Sequence, residues 1–174
     1  MPVFAPPVPL LPEHETSGFD CGSPSLSAWL RDIALMAQSA GTSRVYVSCE
    51  TGTTVVAGYY ALAATSIEPA QASPRVLRGA GRNSIPAILL ARLAVDRRAQ
   101  GQGLGRALVS DALQRVVASA DLIGVRALLI HAESPAARDF YLNLAEFEPS
   151  PTDPLHLILL MKDLRRALGA PSTS

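Results

Sequence analysis

Leu93-Ala94-Val95-Asp96-Arg97-Arg98-Ala99-Gln100-Gly101-Gln102-Gly103-Leu104-Gly105-Arg106 decides the fold of this 174-residue chain. It closes the apolar run Ile88 to Val95, and after it Leu104, Leu108, Val109, Ala112, Leu113, Val116 and Val117 recur as one helical stripe. The order is strand, glycine turn, helix. A turn in that place lies against the first turn of a helix, where backbone N–H groups have no intrahelical acceptor and the dipole is positive. Gly101, Gly103 and Gly105 let the main chain approach a ligand without Cβ clashes, and Arg98 and Arg106 can balance its charge. The segment Arg98, Gln100, Gly101, Gln102, Gly103, Leu104, Gly105 and Arg106 is therefore read as a pyrophosphate site. A dinucleotide fingerprint needs Gly-x-Gly-x-x-Gly, whereas these glycines stand at every second position. A triphosphate loop needs Lys followed by Ser or Thr, and neither stands at its place. What is left is Arg98-x-x-Gly101-x-Gly103.

Outward from this segment the chain reads as alternating strands and helices. Ser23-Pro24 offers an N-cap and a first-turn proline, after which Leu26, Trp29, Leu30, Ile33 and Ala37 predict a helix. Arg44 to Cys49 and Val55 to Ala64, parted by Thr51-Gly52-Thr53, predict a hairpin. Pro69 to Asn83 is a long loop rich in Pro, Gly, Ser and Arg. Val125 to Ile130 reads as a strand, Pro135 to Leu144 as a helix and Leu155 to Met161 as a closing strand. The strand-helix-strand core implies a right-handed parallel crossover in an otherwise antiparallel sheet. The expectation is a mixed α/β (α+β) fold in a single domain over 1–174, with 1–12 extended and 169–174 frayed.

Composition bounds the function. Hydrophobic residues make up 48% of the chain, enough for a sizeable core, and the formal net charge is zero. Nucleic acid cannot be drawn by bulk charge, so binding would need a local patch, and no direct DNA binding is expected of the chain alone. Lys162 is the one lysine among fifteen basic residues; the rest are Arg, which suits phosphate but also follows from a bias in base composition. The 27 residues between Cys21 and Cys49 match neither a zinc nor a redox spacing, and reduced, buried thiols are expected. No metal site is expected. The N-terminus does not read as a signal peptide, and no apolar run could cross a bilayer, so a cytoplasmic protein with no membrane contact is the expectation.

Preceded by Leu93-Ala94-Val95-Asp96 and followed by an amphipathic helix, Arg98-x-x-Gly101-x-Gly103 resembles the pyrophosphate motif of the GNAT acetyltransferases. That resemblance implies acetyl-coenzyme A as acetyl donor and a central, mostly antiparallel sheet flanked by helices, whose parallel strands four and five splay apart. The pantetheine arm would then bond to the backbone at Leu93, Ala94 and Val95. Family members commonly use a Tyr after the fifth strand to protonate the departing thiolate, and Phe140-Tyr141 stands there, making Tyr141 the candidate acid. The family commonly closes this segment with Gly-Phe, whereas here Ala145-Glu146-Phe147 carries one residue more. Absorbed in the turn after the helix, that residue leaves the phenol in place.

The acceptor is an amine that must be neutral to attack. The fourth strand contains no Glu, Asp or His, and Arg92 is its only ionisable residue, which favours an α-amine of low pKa over a lysine. Glu68 or His131 could be brought near by the fold, although His131 is more simply read as packed. Phe19-Asp20-Cys21-Gly22, Gly58-Tyr59-Tyr60-Ala61-Leu62, Arg92 to Asp96, Gly124 to Ala132 and Phe147 to Pro151 occur in the order seen in TacT-type toxins, which the chain resembles from about Phe19 to Met161. The resemblance implies the toxin of a type II toxin–antitoxin pair, acetylating the amino acid on charged tRNA and blocking translation. It also implies a homodimer and a ribbon-helix-helix antitoxin as partners. Arg78, Arg82 and Arg92, with Arg75, are the candidates for tRNA contact, against a reading as solvated loop charge. Arg165 and Arg166 are read as solvated, near a frayed end. An acetyltransferase acting on a small amine or a protein N-terminus, and a non-catalytic acetyl-coenzyme A or RNA-binding module, are the alternatives.

Overall fold

The computed structural model describes residues 3–169. Seven strands, β1 (Val8–Pro9), β2 (Arg44–Cys49), β3 (Val56–Ile67), β4 (Ile85–Val95), β5 (Ala127–His131), β6 (Glu148–Pro149) and β7 (His156–Leu160), form one sheet in the order β1-β2-β3-β4-β5-β7-β6. The helices are α1 (Pro24–Asp32), α2 (Ala34–Ala40), α3 (Pro74–Leu77), α4 (Leu104–Ala120), α5 (Pro135–Leu142) and α6 (Met161–Ala167). The mixed sheet matches the expectation: β2 and β3 pair antiparallel, and β4 and β5 pair parallel. The parallel register covers four pairs, Ala87↔Ala127 to Leu90↔Ile130, and stops there, while β4 continues to Val95. Its last five residues therefore have no β5 partner.

The chain divides into two compact units. One takes in the chain up to Ala63 together with Ala91–Ala112; the other takes in Ala64–Leu90 and the chain from Leu113 onward. The first is centred on Phe19, Trp29, Leu30, Val45, Val47, Tyr59 and Ala94, with Phe19 edge-on to Tyr59 at 5.6 Å and Trp29 stacked on it at 6.0 Å. The second buries Ile67, Val76, Ile85, Leu129, Ile158 and Leu160.

Several boundaries differ from the expectation. The helix predicted through Ile33 and Ala37 is two helices, broken at Ile33 (φ −124°). The break moves the buried face on by one residue: Ala34 is fully buried and Ile33 is 43% exposed. Gln38 on α2 then serves the sheet, donating to Leu10 O at 2.5 Å and accepting from Val45 N at 2.8 Å. In the long loop, Ser73 caps α3 by accepting from Val76 N. Met161, read as the end of the closing strand, opens α6 instead. Arg165 and Arg166, read as solvated, face carboxylates: Arg165 lies 2.7 Å from Asp121, and Arg166 3.5 Å from Asp163. The proline-rich start is extended as expected, bonding to β2 through Ala5 N and Leu10 N. Cys49 is buried but Cys21 only half so; both are free thiols. Residues 1–2 and, of the tail expected to fray, 170–174 lie outside the described residues.

Candidate active site

The glycine turn is assembled within the first unit. Asp96 directly follows β4 and is 2% exposed, yet it carries a carboxylate. That carboxylate accepts from Asp20 N at 3.1 Å, Arg98 N at 2.9 Å and Arg98 Nε at 3.0 Å. Burial alone would raise its pKa; the bonds from the Arg98 side chain and from the Arg98 and Asp20 backbones overcome that and hold it below the usual carboxylate range. The backbone closes the same knot, Asp96 N donating to Ala57 O at 2.8 Å and Arg97 N to Asp20 O at 2.8 Å. Gln100 adds a clasp, its Nε2 donating to Val95 O at 2.9 Å and Cys21 O at 3.1 Å.

Beyond this anchor Gly101 (φ 76°) and Gly103 (φ 83°) adopt the left-handed conformation that glycine tolerates best, and a Cβ built on either meets nothing within 4 Å. The main chain is thus bare on that side. Ala107 N donates to Gly103 O at 3.1 Å, so the N–H groups of Leu104, Gly105 and Arg106 precede the first of these helical bonds. Arg98 keeps 64% of its side chain exposed while paired to Asp96, and Arg106 is exposed. Free donors at the start of a 17-residue helix, bare glycines and two accessible guanidinium groups suit a pyrophosphate. A cavity of about 380 Å³ beside the turn is lined by Gly103, Leu104 and Ala107 with Phe4 and Pro7. The other side of α4 is fixed by close packing. A Cβ on Gly58 of β3 would lie 2.9 Å from Leu108 Cδ1, 3.1 Å from Leu104 Cδ2 and 3.3 Å from Ala94 O.

Tyr141 lies in the second unit on α5, whose start is capped by Ser134 accepting from Ala137 N at 3.1 Å. The ring is edge-on to Phe140 at 5.3 Å and Phe147 at 6.4 Å, and the residue is 6% exposed. Burial, with Glu133 adding a negative field, pushes the phenol's pKa well above its ordinary value, so the group is protonated at neutral pH. Tyr59 and Tyr60, also buried, donate their hydroxyls to Leu26 O at 2.7 Å and Asp111 Oδ2 at 2.5 Å. Among the described residues the Tyr141 hydroxyl has no such acceptor. The Ala145-Glu146-Phe147 segment lies beyond the end of α5, with Phe147 N donating to Ala145 O at 2.9 Å. All three residues of that segment therefore lie outside the helix that carries Tyr141.

The other basic and acid–base candidates fall in both units. Arg92 is half-buried with its guanidinium 4.3 Å above the Trp29 ring, in the first unit. Arg78 and Arg82 are exposed in the second. Arg75 meets Glu148 at 3.0 Å and Asp163 at 2.7 Å, two ion pairs within the second unit. Glu68 accepts from Ser84 Oγ at 2.8 Å beside a short 3₁₀ turn. His131 stacks on His156 at 3.9 Å; burial, then the neighbouring imidazole, lowers its pKa. Among the described residues no three His, Cys, Asp or Glu stand together to hold a metal, and no helix is long and apolar enough to cross a membrane. Asp96 and Asp20 are the residues of the site whose task the sequence reading missed. An Asp two residues before an Arg at a strand end is an Asx-turn signal that could have found the first.

Residues 41–144 match the model of the acetyltransferase (GNAT) domain. The chain belongs to the GNAT acetyltransferases. Within the family it is 50% identical to the tRNA-acetylating toxin of Mycobacterium tuberculosis (strain ATCC 25618 / H37Rv) over 155 residues, 89% of this chain and 91% of that one. It is 32% identical to the probable toxin TacT of Sinorhizobium fredii (strain NBRC 101917 / NGR234), with 90% of each chain covered. Among solved structures it resembles AtaT complexed with acetyl-methionyl-tRNAfMet, at TM-score 0.86 and 26% identity over 95% of this chain and 99% of that one. It resembles AtaTR bound with acetyl-coenzyme A at TM-score 0.80 and 26% identity, over 97% and 99%.

Proposed function

We propose that this GNAT enzyme is the toxin of a toxin–antitoxin pair and moves acetyl from acetyl-coenzyme A to the α-amino group of aminoacyl-tRNA, which blocks translation. The observation that carries this reading is the 50% identity to a tRNA-acetylating toxin along 89% of the chain, with the bare glycine turn in place. Acetyl-coenzyme A supplies an activated thioester. The N–H groups of Gly101, Gly103, Leu104 and Gly105 would hold its pyrophosphate, with Gln100 and Gln102 shaping the turn and Arg98 and Arg106 balancing charge. The end of β4 beyond its β5 pairing, at Leu93, Ala94 and Val95, offers backbone groups to the pantetheine arm. Tyr141, protonated and without an internal acceptor for its hydroxyl, gives a proton or hydrogen bond to the leaving thiolate. No carboxylate or imidazole stands on β4 to take a proton from the amine, which suits an α-amine already largely neutral near pH 8.

The two compact units are proposed to work as one domain, because β3, β4 and α4 each run unbroken from one into the other. A homodimer, a ribbon-helix-helix antitoxin, action in the cytoplasm and contact of Arg78, Arg82 and Arg92 with tRNA belong to the same proposal. The test is transfer of radiolabelled acetyl to a pool of charged tRNA, beside uncharged tRNA, free amino acids and the Tyr141→Phe variant. Label on charged tRNA alone, with turnover in the variant down about 10²–10⁴-fold and cofactor affinity kept, is expected. Transfer to small amines or protein N-termini, with none to tRNA, would overturn it.

A further inference from the structure

Arg78, an exposed loop residue in the sequence, has company that the sequence does not place beside it. A cleft of about 640 Å³ in the second unit is bordered by the start of β4 at Pro86, the turn before β5 and the junction of β7 with α6. Arg78, Arg126, Lys162 and Arg165 line it, and among the described residues no Asp or Glu does. Arg126 is held by neutral acceptors, Nε donating to Val76 O at 2.9 Å and Nη2 to Arg78 O. Its guanidinium is thereby oriented without being neutralised. Arg165 is oriented by Asp121, which lies 2.7 Å away and is half exposed. Lys162 is exposed, and its neighbour Asp163 is already engaged by Arg75 and Arg166. In a chain of zero net charge, four cations facing one carboxylate make a concentrated positive field.

We propose that this cleft docks the phosphate backbone of the tRNA acceptor stem; the proposal rests on the aminoacyl-tRNA reading. Three of the four cations are Arg, whose planar fork pairs two N–H groups with one phosphate. An acidic peptide would need apolar anchor pockets, but the large apolar residues of these walls, Leu160 and Met161, are themselves buried at 4% and 6% exposure. The position also fits a polymer. Arg126 directly precedes β5, and α5 with Tyr141 follows its far end. Five strand residues put about 16 Å between those ends. At about 3.4 Å per stacked nucleotide the length of β5 alone corresponds to roughly five nucleotides, more than a trinucleotide spans.

The test compares Lys162→Gln and Lys162→Glu with the unaltered full chain on two substrates, full-length aminoacyl-tRNA and a 3′-aminoacyl trinucleotide too short to reach the cleft. Thermal melting checks that each variant folds. For full-length tRNA, KM should rise roughly threefold with Gln and about tenfold with Glu, while the salt dependence of log Kd for uncharged tRNA loses about 1 from its slope with Gln. The trinucleotide should show neither loss. Unchanged KM and slope, or equal losses on both substrates, would overturn the cleft while leaving the acetylation reading intact; absence of tRNA acetylation by the unaltered protein would instead defeat that reading. A polyglutamate peptide that binds through Lys162 more tightly than tRNA at equal ionic strength would reassign the cleft to an acidic protein partner.

Discussion

Removing the Asp96 side chain tests whether the glycine turn is held from beneath. In Asp96→Ala, the Asp20 and Arg98 N–H groups lose the acceptor of a residue that is 2% exposed. Each stranded donor costs about 1–3 kcal/mol, so the pair costs about 4 kcal/mol. The exposed Arg98 guanidinium adds little, since solvent takes over its bonds. In a chain of this length about 4 kcal/mol lowers Tm by about 8–16 °C. Asp96→Asn divides the effect. Oδ1 serves Arg98 and Oδ2 serves Asp20, so an amide that keeps one oxygen must turn its NH₂ toward the other donor. About half the loss is expected. Thermal melting gives the stability, and calorimetric titration with acetyl-coenzyme A gives the affinity, which should fall in the same order, Ala more than Asn. A drop in Tm of less than about 3 °C in both variants would refute the anchoring argument. Normal cofactor affinity in a clearly destabilised Asp96→Ala would refute its link to the turn.

Gly58→Ala should cost about 1–3 kcal/mol by overpacking against Leu104, Leu108 and the immovable Ala94 carbonyl, and should weaken cofactor binding through α4; urea unfolding at unchanged slope checks the first part. The pH dependence of Tm should show two losses on acidification. His131 has a lowered folded pKa, so its contribution is complete above about pH 6.5 and shrinks as pH falls below that. Asp163, held low chiefly by the hydrogen bond from Arg75, and Asp96 contribute fully above about pH 4 and lose that contribution as pH falls through their folded values. Arg75→Gln should shrink the acid loss, and an unaltered profile would disprove the Arg75 assignment.

Much of the fold was legible in the chain because its signals are local. Ser23-Pro24 marks a helix start, the interrupted alternation around Thr51-Gly52-Thr53 marks the hairpin, and the glycines after Val95 mark the strand-to-helix turn. The break at Ile33 was not legible, since periodicity carries no record of whether a helix runs straight. Neither was α6, because Met161 continues an apolar run that reads equally as strand.

The sequence by itself determined the order of elements, the mixed sheet and the candidate role of the glycine turn, because hydrophobic spacing, glycine and capping residues act within a few positions of themselves; the candidate role of Tyr141 came from the resemblance to the GNAT family. Tertiary structure alone decided which charges pair and which gather at one cleft. Arg75 is tied to Asp163, and Asp96 is buried beneath the turn it holds, while Arg78, Arg126, Lys162 and Arg165 face one cleft from three separate segments. Coulombic and hydrogen-bond partners are set by distance in space, and distance in space between residues on segments as far apart in the chain as Arg78 and Arg126 is fixed only once the sheet has formed.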